Sequence, residues 1–285
     1  MTTVKIAKET QLAYLRVGKH HHENSAIFLH GIMGNKKNWQ SFLRLFIEAC
    51  PKWDALVFDL RNHGESSKHQ EPFTVHATAF DIAQACDLLQ IRPKAIIGHS
   101  FGAKVATLAA DMMSSSVEQL WLLDSSLSMI SSPNPLGSPN DTTALGLLEL
   151  LDRIKWPLTS RRALIEELLT RGVNEQIALW MTTNLIVAED GFRLNFEPSE
   201  LKAMLINFLE LDLWNRVPQL SQRMDIHMLS AQHGYRLFEH DQIRLKELAG
   251  MQGYFHLLRD SGHFVQADNP RGLLEILQPY FNQVI

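Results

Sequence analysis

The chain has 285 residues, 20% of them charged, and a formal net charge of -4. Nucleic-acid binding needs a basic face that this mildly acidic composition does not supply, so no nucleic-acid partner is expected. Two cysteines, Cys50 and Cys86, are too few for a disulfide framework and read as free thiols in a reducing compartment.

The N-terminal stretch MTTVKIAKETQLAYLRVGK carries charges throughout and has no apolar core of signal-peptide length, so a cytoplasmic protein is expected. KIAKETQLAYLRV reads as two strands and a turn, and SAIFLHG as a strand ending at a glycine. NWQSFLRLFIEAC has apolar residues at helical spacing and stops at Pro51. DALVFDLRNHG is a strand and a turn, TVHATAFDIAQACDLLQ a helix, KAIIGHS a strand, AKVATLAADMM a helix and EQLWLLDSS a strand. Toward the end, RMDIHMLSAQ and GYFHLLRDSGH are strands around the helical HDQIRLKELA, and NPRGLLEILQPYF is a closing helix. Alternation of this kind predicts βαβ units and a mostly parallel sheet flanked by helices. No apolar run approaches the ~18 residues of a membrane span.

The rhythm breaks after Ser125. SSPNPLGSPND is a linker without periodicity. The helical patterns TALGLLELLDRI, SRRALIEELLTR, NEQIALWMTTNLIV and PSELKAMLINFLELDLW follow, with a short GFRLNF between the last two. The expected organisation is a core of residues 1–124 and 223–285, with a helical cap over 125–222 inserted between the sixth and seventh strands.

The chemistry is expected where KAIIGHS meets its helix. GHSFG fits the G-x-S-x-G pattern of a nucleophile on a strand-to-helix turn, with Ser100 projecting above the sheet. Gly98 and Gly102 then stand where side chains would collide. Serine needs a base. Of 13 histidines, His263 lies in a loop after the last strand, at the sheet edge where ligands of such folds bind. An oxyanion would be met by backbone amides, one from Phe101 and one from HGIMG, where Ile32 is the first choice and Met33 the second. His30 is expected to brace that loop, and Arg61, Asn62 and His63 to shape the pocket.

HGIMG, DLRNHGES, GHSFGAK, WLLDSS and DSGHF together resemble the α/β-hydrolase superfamily over nearly the whole chain. DLRNHG with GHSFG.K and GFRLNF resembles the YbfF-type esterases, small-acyl and acyl-CoA esterases with a compact helical cap. The turn that usually carries the acid reads AQHGYRL here and has no carboxylate. The resemblance therefore implies Asp124, at the end of WLLD, as the acid; Glu239 and Asp241 stay open as alternatives.

The implied activity is hydrolysis of a small-molecule acyl ester or thioester through an acyl-serine, with no cofactor and no metal. A carbon–carbon bond hydrolase or lyase on the same serine, and a non-catalytic ligand receptor, are the competing readings. The run His20 to His22 sits in a charged turn without clustered carboxylates and does not predict a zinc site. Trp180, Met181, Met204, Phe208 and Trp214 are expected to be mostly cap core, with a few facing the acyl group.

Overall fold

The computed structural model describes residues 3–6, 12–18, 24–68, 70–113, 115–130, 143–234 and 239–282. Six strands open the chain: β1 (Thr3–Ile6), β2 (Ala13–Val17), β3 (Asn24–Leu29), β4 (Trp53–Phe58), β5 (Ala95–His99) and β6 (Gln119–Leu123). Between them lie α1 (Gln40–Ala49), α2 (Val75–Leu88) and α3 (Phe101–Met112). The insertion after β6 contains α4 (Ala144–Asp152), α5 (Arg161–Thr170), α6 (Glu175–Met181), β7 (Leu185–Ala188), β8 (Gly191–Leu194), α7 (Pro198–Glu210) and α8 (Val217–Leu220). The sheet then resumes with β9 (Asp225–Ala231), α9 (Glu239–Ala249), β10 (Gly253–Leu258), α10 (Val265–Asp268) and α11 (Pro270–Asn282).

The main sheet has the order β1-β2-β4-β3-β5-β6-β9-β10. β1 and β2 run antiparallel to their neighbours, and the other six strands are parallel. The mostly parallel sheet with a helical insertion between strands is thus present. β4 pairs on one side of β3 and β5 on the other, so the winding reverses there and a crevice opens beyond the strand ends.

Register fixes what stands at that crevice. Leu29 pairs with Gly98, His99 with Leu123, and Leu123 with Leu229. His30 therefore follows level with His99, and Ser100, Asp124 and Ser230 begin the next row across the sheet. Alternate residues of each strand feed opposite faces. Ile27, Leu29, Ile96 and Leu122 pack under α2, α3 and the insertion, while Phe28, Ile97, Trp121 and Leu123 pack with residues of α1 and α11. Both faces are covered, which explains the unbroken apolar runs.

Side-chain caps define the insertion's helices: Thr143 accepts from the Gly146 N–H, Ser160 from Ala163 and Asn174 from Ile177. α4 packs on α7, and α7 lies against α2 and α3. One sequence expectation fails here. The pattern NEQIALWMTTNLIV predicts a single helix, yet α6 stops at Met181 and β7 forms a hairpin with β8. Ile186 and Val187 are β-branched, and Gly191 takes φ +140 at the turn, which only glycine adopts readily. The linker SSPNPLGSPND lies outside the described residues.

Candidate active site

Ser100 is the single residue between β5 and α3, with φ 53 and ψ -119. A non-glycine residue at positive φ costs roughly 1–3 kcal/mol and persists only when its surroundings hold it. They do: the Ser100 N–H donates to the Leu123 carbonyl at 3.0 Å, and its own carbonyl accepts from Ala103 at 2.9 Å. A Cβ at Gly98 would lie 2.1 Å from the Gly102 oxygen, and one at Gly102 would lie 2.7 Å from the oxygens of both Leu29 and His30. The two glycines let the elbow pass this close to its own turn and to β3.

Asp124 follows β6 at φ 47, with its side chain fully buried. Its Oδ1 accepts the Ala231 N–H at 2.9 Å, and its Oδ2 lies 2.7 Å from His263 Nδ1. Gly234 makes room, because a Cβ there would sit 2.4 Å from Asp124 Oδ2. The turn after β9 carries no carboxylate of its own and instead holds one that comes from β6. Asp241, by contrast, is bonded to Ser128 Oγ at 3.4 Å and lies 3.0 Å from His240 Nε2, so the structure does not bring it to His263. The side chain of Glu239 lies outside the described residues.

His263 occupies the loop between β10 and α10, and its side chain is 35% exposed. The loop is held by a residue that sequence reasoning passed over. His99 Nε2 lies 2.7 Å from the His263 carbonyl and donates to it, and the two rings are 4.7 Å apart. Burial above all, then the neighbouring His263, pushes the His99 pKa down to about 3, so the ring stays neutral.

Two further neutral histidines set the loop after β3. His30 Nδ1 donates to the Gly31 carbonyl at 2.8 Å while Nε2 accepts the Leu60 N–H at 3.0 Å. His63 Nδ1 donates to the Arg61 carbonyl at 2.8 Å while Nε2 accepts the Met33 N–H at 3.2 Å. Burial lowers the pKa of both, which suits their acceptor roles. The Met33 amide is therefore occupied. Gly31 brings the loop against the elbow, since a Cβ on it would lie 3.2 Å from Ser100 Cβ.

Arg61, Asn62 and His63 were expected to shape the pocket, yet none of them lines it. They work one layer behind: Arg61 grips Asp81 through Nε at 2.7 Å and Nη2 at 2.8 Å, and His63 fixes the loop that does line it.

Ser100, His263, Phe101 and Ile32 share one cavity of about 540 Å³. Its insertion side is largely apolar, with Leu147, Ile177, Trp180, Leu205 and Phe208. Of the cap residues singled out in the sequence, Trp180 and Phe208 face it, whereas Met181, Met204 and Trp214 are fully buried elsewhere. Cys50 and Cys86 are free, buried thiols. Among the described residues no group of three or more His, Cys, Asp or Glu could hold a metal, and His20 to His22 lie outside them.

Residues 27–164 match the family model described as alpha/beta hydrolase fold. The chain is 33% identical to the sn-1-specific diacylglycerol lipase ABHD11 of Xenopus tropicalis over 174 residues, which are 60% of this chain and 53% of that protein. It thus spans about half the length of that relative. To the enzyme of the same name from Danio rerio it is 27% identical over 265 residues, 89% of this chain and 78% of that one. The solved structure of a marine microorganism esterase superposes with a TM-score of 0.80 at 21% identity, covering 94% of this chain and 98% of that one. The chain has the alpha/beta hydrolase fold.

Proposed function

We propose that this protein is a serine hydrolase that cleaves carboxylic esters through an acyl-enzyme on Ser100. The observation that carries the reading is the 2.7 Å contact between His263 Nδ1 and Asp124 Oδ2, in a cavity that the strained Ser100 also lines. In this reading the ionised Asp124 accepts a hydrogen bond from the Nδ1–H of His263, which leaves Nε2 as the base for the Ser100 hydroxyl. His263 then protonates the leaving alcohol and activates water for deacylation. The amides of Phe101 and Ile32 hold the oxyanion. Ile32 takes this part rather than Met33, whose N–H is already bonded to His63.

The apolar cap side of the cavity favours an aliphatic acyl group. The ester-cleaving relatives support an ester substrate, and the YbfF-type resemblance extends the proposal to acyl thioesters, including acyl-CoA. No step calls for a cofactor. The core and cap bounded at 124 and 223 follow the same scheme, in which the cap closes over the strand ends. Among the described residues no helix is long and apolar enough to cross a membrane, and a cytoplasmic location is proposed with the rest. The test is turnover of p-nitrophenyl and CoA esters by wild type and by Ser100→Ala. Loss of all turnover in a folded Ser100→Ala supports the reading, and retained turnover overturns it.

A further inference from the structure

Lys104 is fully buried in α3, one turn beyond Phe101. A lysine on a helix normally carries its ammonium to water. This one has no carboxylate within ion-pair distance among the described residues. Its Nζ donates instead to three carbonyls: Ser128 at 2.8 Å, Phe208 at 2.7 Å and Leu211 at 2.6 Å. Ser128 opens the inserted segment, and Phe208 and Leu211 stand at the C-terminal end of α7, where the helix dipole favours a cation. The ammonium also lies 4.4 Å from the centroid of the Phe208 ring. That ring is 5.6 Å from Phe101 and forms part of the cavity wall.

Burying an ion costs several kcal/mol, and an apolar residue of similar volume would hold a core at least as well. What the ion adds here is position. Its three donors match three carbonyls on two separate segments of the insertion, and all three bonds are charge-assisted. Phe208 is held twice, by its carbonyl and by its ring.

We propose that Lys104 is a specificity-determining positioning residue that fixes Phe208 as a wall of the acyl cavity and thereby limits the acyl length accepted. The inference rests on the serine-esterase reading above. Freed from the clamp, Phe208 swings back and the cavity deepens, so longer chains gain relative to short ones.

The experiment compares kcat/KM for p-nitrophenyl butyrate and decanoate in wild type, Lys104→Met, Phe208→Ala and the double variant. In Lys104→Met the decanoate-to-butyrate ratio is expected to rise at least about tenfold, chiefly through KM, as a few misplaced methylene contacts require. Phe208→Ala should reproduce the shift, and the double variant should add little to it. A uniform loss at both chain lengths, or additive shifts in the double variant, overturns the proposal. Should Lys104→Met fail to fold, Phe208→Ala provides the test, and an unchanged ratio in that variant overturns the proposal. Burial pushes the Lys104 pKa down to about 7, against the pull of Asp212 and Asp241, which are themselves paired with Arg244 and His240. A neutral amine has two donors for three carbonyls. The wild-type ratio should therefore also rise between about pH 6 and about pH 9. Absence of ester turnover at every length overturns the hydrolase reading beneath the proposal.

Discussion

Replacing Asp124 with asparagine changes one atom and reverses one hydrogen bond. Asparagine tolerates the backbone at φ 47 better than most residues. Its side-chain oxygen can keep the bond that Oδ1 now accepts from Ala231 at 2.9 Å. That leaves the amide nitrogen where Oδ2 stood, 2.7 Å from His263 Nδ1. An N–H there must donate, so His263 Nδ1 must accept, and the ring proton moves to Nε2. The base now presents a proton to Ser100 where it should take one, and the charge that would steady the imidazolium is gone. The expected fall in kcat is about 10⁴-fold, or ~5 kcal/mol of transition-state stabilisation, the size seen for wrong-tautomer variants of serine triads. The assay is steady-state hydrolysis of p-nitrophenyl butyrate, with thermal melts to show that the variant folds. Asp241→Asn and Glu239→Gln serve as controls and should stay within a few-fold of wild type. A folded Asp124→Asn within tenfold of wild type, or a collapse of activity in either control, would refute the reasoning.

Gly98→Ala places a methyl 2.1 Å from the Gly102 carbonyl oxygen, inside the hydrogen-bonded elbow, where the nearest atoms are backbone and cannot step aside. A loss of more than ~2 kcal/mol in stability is expected in urea melts, with activity lost alongside. The buried histidines set a pH dependence. Burial lowers His99 to about 3, His227 to about 2 and His256 to about 4, all below the 6.5 of the unfolded chain. Their neutral forms are favoured by folding, so the unfolded chain binds more protons below pH 6.5, and stability falls as the pH drops from there toward 4. Urea melts should show at least about 2 kcal/mol less stability at pH 5 than at pH 7.5; an unchanged midpoint would count against neutral, buried rings.

The strands and the elbow were legible because their signals are local: apolar runs bounded by turns, and glycines two residues either side of a serine. His263 is expected from its place after the last strand, whereas Asp124 rests on the family resemblance, with Glu239 and Asp241 open beside it. The parts that escaped depend on partners far along the chain. His99 reaches the carbonyl of a residue 164 positions away, and His63 takes an amide 30 positions back, so nothing in the residues themselves announces either bond. Both are bonds to backbone, which carries no side-chain signature in sequence. The β7–β8 hairpin is hidden because only Thr182 to Asn184 separate α6 from Leu185 to Val187, and a short apolar run of this kind fits either period. The burial of Lys104 escapes the sequence because the insertion, and not α3 itself, supplies the carbonyls around its ammonium.

The most direct test of the account is covalent labelling with a fluorophosphonate, read by intact-protein and peptide mass spectrometry. Wild type should take up one equivalent on Ser100 and lose ester turnover in proportion. Ser100→Ala should take up none. Labelling at any other residue, or full inactivation without an adduct on Ser100, would contradict it.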